Sequence, residues 1–234
     1  MSEADPVPWL YPILTEKLLA PEDFPDAAAT LADLGVALIQ LRLKSLGDGA
    51  AVGVHEAVAD RLARWPGTIV VNDRADLAHL LAEHSRAQGH AHRIGLHLGQ
   101  TDLPPLHARA IVGDAVAIGL STHNLEQLRA ALEEPVDHVA FGPVFQTGTK
   151  DNPDPIVGLA LLAQAATLAR THARPRPLVA IGGIDASTVA AVLSAGATSI
   201  AVIGALFEGG PEHVRDRVAS LAAAVRNDPT RSAS

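Results

Sequence analysis

Three short segments in the first half of the chain place cations, amides and carboxylates at spacings that suit a phosphorylated ligand. In Gln40-Leu41-Arg42-Leu43-Lys44 the polar residues alternate with leucine, so on an extended backbone Gln40, Arg42 and Lys44 share one face. Two cations and an amide donor along one face make an anion clamp, whereas a solvated strand end seldom alternates so cleanly with leucine. The runs Val70-Val71-Asn72-Asp73-Arg74 and His97-Leu98-Gly99-Gln100-Thr101-Asp102 each end on a carboxylate. Carboxylates beside an anion clamp make chemical sense where a Mg²⁺ ion joins them to phosphate oxygens. Aspartate is also a preferred helix cap. For Asp102, just before Leu103-Pro104, both readings stay open, while Asp73, after a strand and Asn72, reads as a site residue.

A second group of segments suits a phosphate monoester. Gly142-Pro143-Val144-Phe145-Gln146-Thr147-Gly148-Thr149-Lys150 gathers two hydroxyls and a lysine around a glycine, as a backbone-lined phosphate cradle requires. In Ile181-Gly182-Gly183-Ile184 the glycines let an oxyanion approach the main chain, and Val202-Ile203-Gly204-Ala205 opens a short helix. The segment Ser121-Thr122-His123-Asn124 offers a Ser/His pair, but a two-residue spacing on a turn has neither triad geometry nor a nucleophile elbow. Ser or Asn capping the next helix accounts for part of it. No residue stands out as a covalent nucleophile. Two anion sites with one Mg²⁺ position suit a transferase that ionises a pyrophosphate ester and captures the fragment with a phosphorylated second substrate.

Composition excludes other chemistries. A net charge of −8 argues against a nucleic-acid partner, which needs a basic face. The absence of cysteine removes disulfides, thiolate nucleophiles, iron–sulfur clusters and cysteine-ligated zinc. Lys17, Lys44 and Lys150 are the only lysines, so two of them fall in the candidate anion sites. Among the eleven histidines, His84, His90 and His92 cluster in the polar stretch Glu83–Arg93. They could hold a transition metal, but no carboxylate or fourth ligand stands at a fixed spacing to them, and a flexible solvent loop explains them better.

The positioning elements follow from two alternating periods. Short β-branched runs at Tyr11–Thr15, Val36–Leu41, Thr68–Asn72, Ile94–His97, Ala115–Gly119, His138–Phe141, Leu178–Ile181 and Ser199–Ile203 are apolar on both faces, as strands of a doubly covered parallel sheet are. Alanine- and leucine-rich helices separate them, among them Asp26–Leu34, Ala50–Trp65, Leu125–Leu132, Gly158–Thr171 and Ser187–Ala195, and Pro211–Arg226 closes the chain. With 48% hydrophobic and 19% charged residues, the chain is expected to fold as a single α/β domain, a (β/α)8 TIM barrel over residues 9–226. A doubly wound sheet is the alternative, but no G-x-G-x-x-G follows the first strand. The charge-free stretch Ala186–Phe207 imitates a membrane span, yet its small residues and Gly196 read as helix, turn and buried strand. The start has no basic segment followed by an apolar run, so a soluble cytoplasmic protein is expected, with no membrane partner and with a homo-oligomer allowed. Residues 1–8 and 227–234 are expected to be disordered tails, 83–93 a surface insertion, and 151–157 a Pro-broken loop able to act as a lid.

Taken in order, the segments 39–44, 71–74, 97–102, 119–123, 142–150, 180–184 and 202–205 resemble those of the thiamine phosphate synthases over roughly residues 10 to 225. The resemblance implies condensation of 4-amino-2-methyl-5-hydroxymethylpyrimidine pyrophosphate with the thiazole phosphate or its carboxylated tautomer, through loss of pyrophosphate and capture of a pyrimidine-methyl cation. It implies that Gln40, Arg42, Lys44 and Asn72 hold the pyrimidine pyrophosphate and that Asp73 and Asp102 ligate Mg²⁺. It also implies that Ser121 sits by the pyrimidine and leaving group, and that Lys150 stabilises the departing pyrophosphate. Thr147, Thr149, Gly183, Ile203 and Gly204 would bind the thiazole phosphate, and Arg42, Ser121 and Lys150 would act on the reacting groups. Gln146 stands where the family usually has proline, and Gly204 where it usually has serine. A thiazole tautomerase-like relative, with His123 as acid/base, and a non-catalytic phosphate- or thiamine-binding barrel are the alternatives. The paired Asp residues and the cation set argue against both.

Overall fold

The computed structural model describes residues 7–148 and 155–228. Eight parallel strands close into a barrel, each paired with its sequence neighbours and β1 with β8. They are β1 Leu10–Thr15, β2 Leu38–Arg42, β3 Thr68–Asn72, β4 Arg93–Leu98, β5 Ala117–Thr122, β6 His138–Phe141, β7 Leu178–Ile181 and β8 Ser199–Val202. The intervening helices are α1 Phe24–Asp33, α2 Asp48–Arg61, α3 Ala75–Gln88, α4 Pro105–Val112, α5 Leu125–Glu133, α6 Gly158–Thr171, α7 Val189–Ser194, α8 Gly204–Phe207 and α9 Val214–Arg226. Among the described residues no helix is long and apolar enough to cross a membrane. The apolar stretch before Phe207 is instead α7, a turn at Gly196, β8 and α8.

The two faces of each strand meet different partners, and this alternation builds two cores. Leu14, Ile39, Leu41, Ile69, Val71, Leu96, Ile118, Val139 and Ile200 point outward and pack with the helices in the larger core. Leu31, Val58, Leu81 and Leu162 meet them from the helix side. Burying each such side chain contributes about 1.5–3 kcal/mol. The inward set is smaller: Tyr11, Ile13, Val70, Ala140, Val179 and Ala201 fill the barrel axis. Among them the rings of His97 and His138 stack with centroids 5.6 Å apart, and Tyr11 meets His138 edge-on at 6.2 Å.

Two regions differ from the sequence-based expectation. Glu83–Gln88 is not loop but the last part of α3, and His92 is buried at 6% exposure. Its Nε2 meets Ser85 Oγ at 3.0 Å and its Nδ1 the Leu62 carbonyl at 3.2 Å, so the segment is anchored against the barrel. At the ends, Val7 is buried, and Ser194 Oγ donates to Asp228 Oδ2 at 3.0 Å. The rest of the two expected tails, 1–6 and 229–234, lies outside the described residues, as do 149–154 of the expected lid and phosphate cradle. Just after the undescribed residues, the Val157 N–H donates to the Pro143 carbonyl at 2.9 Å.

Candidate active site

A cavity of about 510 Å³ opens at the carboxyl ends of the strands. In a parallel barrel this is the face where each strand delivers its last side chain and the next loop into one space. Gln40, Arg42 and Lys44 all line the cavity, so the alternation with Leu41 and Leu43 does turn one polar face inward. Asn72, Asp73, Asp102, Ser121, Thr147, Gly183, Ile203 and Gly204 line it too. Thr149 and Lys150 lie outside the described residues.

On the first side of the cavity the polar side chains hold one another. Gln40 is buried at 2% exposure, and its Nε2 donates to Asn72 Oδ1 at 2.7 Å. This leaves the Asn72 amide NH₂ for a ligand. Lys44 Nζ pairs with Asp73 Oδ2 at 2.7 Å. The loop after β2 is fixed from β1: Glu16 Oε1 accepts from the Lys44 and Ser45 N–H groups at 2.8 and 2.9 Å and from Ser45 Oγ at 3.0 Å.

Neither aspartate caps a helix. The N-cap positions of α3 and α4 are Arg74 and Pro104, neither with a side-chain cap bond, which rules out the cap reading of Asp102. Asp102 Oδ2 instead accepts from the Gly99 N–H at 2.7 Å, within its own turn. Asp73 has φ +64°, a conformation that non-glycine residues adopt at a cost. Its N–H is held by the His97 carbonyl at 2.8 Å, so the chain turns sharply at the end of β3 and delivers the carboxyl to the cavity. Burial, and then the adjoining Asp73 carboxyl, hold Asp102 above the usual carboxylate range, against the Gly99 N–H and the Lys44 charge. Adjoining carboxyls are the type of oxygen donor that a hard divalent cation takes.

Ser121 rests on a residue that the sequence reading did not single out. Its Oγ lies 2.9 Å from Nε2 of His97, which is buried at 7% exposure and itself borders the cavity. Burial, and then the neighbouring His138, push the His97 pKa down to about 3, so the ring is neutral at physiological pH. Asn124, not Ser121, caps α5 through the Gln127 N–H at 2.9 Å, which leaves Ser121 to the cavity. His123 Nδ1 contacts the Gly142 carbonyl at 2.7 Å.

On the opposite side the main chain does most of the lining. At Gly183, with φ +64°, a Cβ would stand 2.4 Å from the Gln146 carbonyl oxygen. Its glycine is required because the segment after β6 packs on the end of β7, where Phe145 N–H donates to the Gly182 carbonyl at 3.0 Å. Tyr11, Asp185 and Glu208 also line the cavity without having been singled out.

A closed parallel barrel with cations, carboxylates and bare main chain at its strand ends is an enzyme scaffold for phosphorylated small molecules. Residues 10–206 match the family model described as thiamine monophosphate synthase. A thiamine-phosphate synthase of Koribacter versatilis is 39% identical over 208 residues, spanning 86% of this chain and 90% of that protein. One from Anaeromyxobacter dehalogenans is 42% identical over 74% of this chain and 71% of its own length. The solved thiamine phosphate pyrophosphorylase of Pyrococcus furiosus superposes with a TM-score of 0.72 at 27% identity, over 94% of this chain and 96% of that one. The chain belongs to the thiamine monophosphate synthase family, the transferases of thiamine biosynthesis.

Proposed function

We propose that the chain joins the aminopyrimidine-methyl pyrophosphate to the thiazole phosphate, or to its carboxylated tautomer, giving thiamine phosphate and pyrophosphate, with the carboxyl group of the latter substrate leaving as CO2. The observation that carries the site assignment is the convergence of Gln40, Arg42, Lys44, Asn72, Asp73 and Asp102 on one wall of a single cavity, with Thr147, Gly183, Ile203 and Gly204 across from them. Asp73 and Asp102 would hold Mg²⁺, and their adjoining carboxyls fit that ion. When bound, the ion neutralises pyrophosphate charge and makes the group a better leaving group. Arg42, Lys44 and the Asn72 amide bind and orient the pyrophosphate. The methylene–oxygen bond then breaks, with its electron pair leaving on the pyrophosphate, and the thiazole nitrogen donates its lone pair to the methylene carbon. Ser121, held by neutral His97, orients the pyrimidine beside the breaking bond. Lys150 would follow the departing anion, since a compact ammonium on a flexible stem adapts to a moving charge. Ligands with phosphate groups do not cross membranes unaided, and this accords with a cytoplasmic setting.

One assay tests the reading: purified protein, both phosphorylated precursors, with and without Mg²⁺. Coupled, Mg²⁺-dependent thiamine phosphate formation is the expected result. Tautomerisation of the thiazole without coupling would instead support acid/base work by His123, and binding without turnover a regulatory barrel.

A further inference from the structure

On the face opposite the cavity, where α2 and α3 run back toward the strands, Asp60, His84 and His90 offer ligand atoms that all lie within 4.8 Å of one another. We propose that Asp60, His84 and His90 form a transition-metal site, of the kind that binds Zn²⁺, separate from the active site. His84 Nε2 lies 2.8 Å from Asp60 Oδ1, and His90 Nε2 lies 3.5 Å from the same oxygen. Tetrahedral coordination with bonds of about 2.0–2.1 Å sets neighbouring ligand atoms about 3.3 Å apart, so small side-chain adjustments open the space for the ion.

Three features distinguish the cluster from a solvated charge group. The His90 side chain is only 7% exposed and turns its Nε2 toward Asp60, so the ring is packed in place and not waving in solvent. His90 is also held in place: Gly89 at φ +69° ends α3, its N–H bonding to the Arg86 carbonyl while the His90 N–H bonds to the Ser85 carbonyl at 2.9 Å. That cap sets His90 over the end of the helix carrying His84. Glu56, one turn before Asp60 on α2, stands 3.7 Å from His84 Nδ1. A carboxylate there favours the tautomer that presents Nε2 to a metal. His92 is excluded, because both its ring nitrogens are already engaged. Two imidazoles and a carboxylate suit zinc and its neighbours better than Mg²⁺ or Ca²⁺. The fourth position is left for water.

Equilibrium dialysis of the full chain against Zn²⁺, in excess Mg²⁺ to fill the carboxylate pair of the active site, tests this. One Zn²⁺ per chain is expected, with a metal-dependent rise in melting temperature because the ion ties α2 to α3 and binds only the folded state. His84→Gln and His90→Gln should each weaken uptake at least tenfold and remove that rise. Asp60→Asn should weaken uptake as well. Asp73→Asn and the exposed-site control His107→Gln should leave it unchanged. Circular dichroism of each variant shows whether the fold is intact, and the three substitutions test the site independently of one another. Absence of saturable Zn²⁺ binding in the native chain, or uptake that persists in folded His84→Gln and His90→Gln, would overturn the proposal.

Discussion

Lys44 and Asp73, from the ends of neighbouring strands, form an ion pair of 2.7 Å in a site proposed to bind both an anion and a cation. Each is therefore the other's stand-in. Binding of the magnesium–pyrophosphate pair would trade one ion pair for two, Lys44 turning to phosphate and Asp73 to the metal. The pre-paired site spares either charge from standing uncompensated, and half-burial of Asp73 makes that compensation worth more than at an open surface.

Asp73→Asn follows directly. The substitution keeps the side chain's shape, and asparagine tolerates the left-handed backbone at φ +64°. Turnover should fall by about a hundredfold or more, because charge neutralisation by a metal contributes several kcal/mol to a pyrophosphate-leaving step. The melting temperature should stay within a few degrees. Asp73→Ala should lose activity equally and add about 1–2 kcal/mol of backbone strain. Near-normal turnover in the asparagine variant would remove Asp73 from the metal site.

Gly119→Ala tests the support beneath Ser121. A Cβ at Gly119 would stand 2.1 Å from His138 Nε2 and 2.6 Å from His97 Nδ1, so one of the two stacked rings must move. Overpacking of this kind costs about 1–3 kcal/mol. Displacing His97 also detaches Ser121 Oγ from its 2.9 Å partner, so kcat should fall along with stability. Chemical denaturation and steady-state kinetics check the two effects. An unchanged kcat in a folded variant would mean that His97 does not position Ser121.

What the sequence discloses and what it hides divide along a physical line. The face shared by Gln40, Arg42 and Lys44 is legible because the two-residue period is local, and α6 over 158–171 is legible because its apolar residues recur at helical spacing without interruption. The barrel axis is not. In a parallel strand both faces are buried, so nothing in the run His138-Val139-Ala140-Phe141 tells which side chains meet the helices and which meet His97. The continuation of α3 through Gln88 is masked because its last residues, Glu83 and Arg86 to Gln88, are its solvent face, with only Ser85 turned inward. Asp60 stands 24 residues before His84 and on a different helix, so no spacing rule connects them. The packing of α2 on α3 does.

Gly204→Ser should improve the second anion site. The position lies at the start of α8 in the cavity wall, and the nearest atom to a Cβ there would be Glu208 Oε1 at 2.8 Å. That carboxylate is the end of a flexible, exposed side chain, and it can swing away. The added hydroxyl would reach the phosphate, a bond of about 1 kcal/mol, or roughly a fivefold decrease in KM for the thiazole phosphate with kcat unchanged. A higher KM would indicate that Glu208 cannot move or that the phosphate sits elsewhere.

The stacked histidines make stability depend on pH in a definite direction. Burial pushes His138 down to about 4 and, with His138 beside it, His97 down to about 3, both below the value of about 6.5 expected in the unfolded chain. Between those limits the unfolded chain binds more protons than the folded one, so the stability these neutral rings contribute is complete above about pH 6.5 and is lost as pH falls toward 4. Each ring adds up to about 1.4 kcal/mol of lost stability per pH unit in that window. His138→Phe removes one titrating ring along with a buried nitrogen that has no partner among the described residues. Its stability should therefore decline less steeply than the native chain's between pH 6.5 and 4.5, by about 1 kcal/mol per unit. Denaturant titrations across that range measure both slopes, and because surface carboxylates contribute equally to each, the difference isolates the ring. Parallel slopes would mean that His138 is not held neutral inside the barrel.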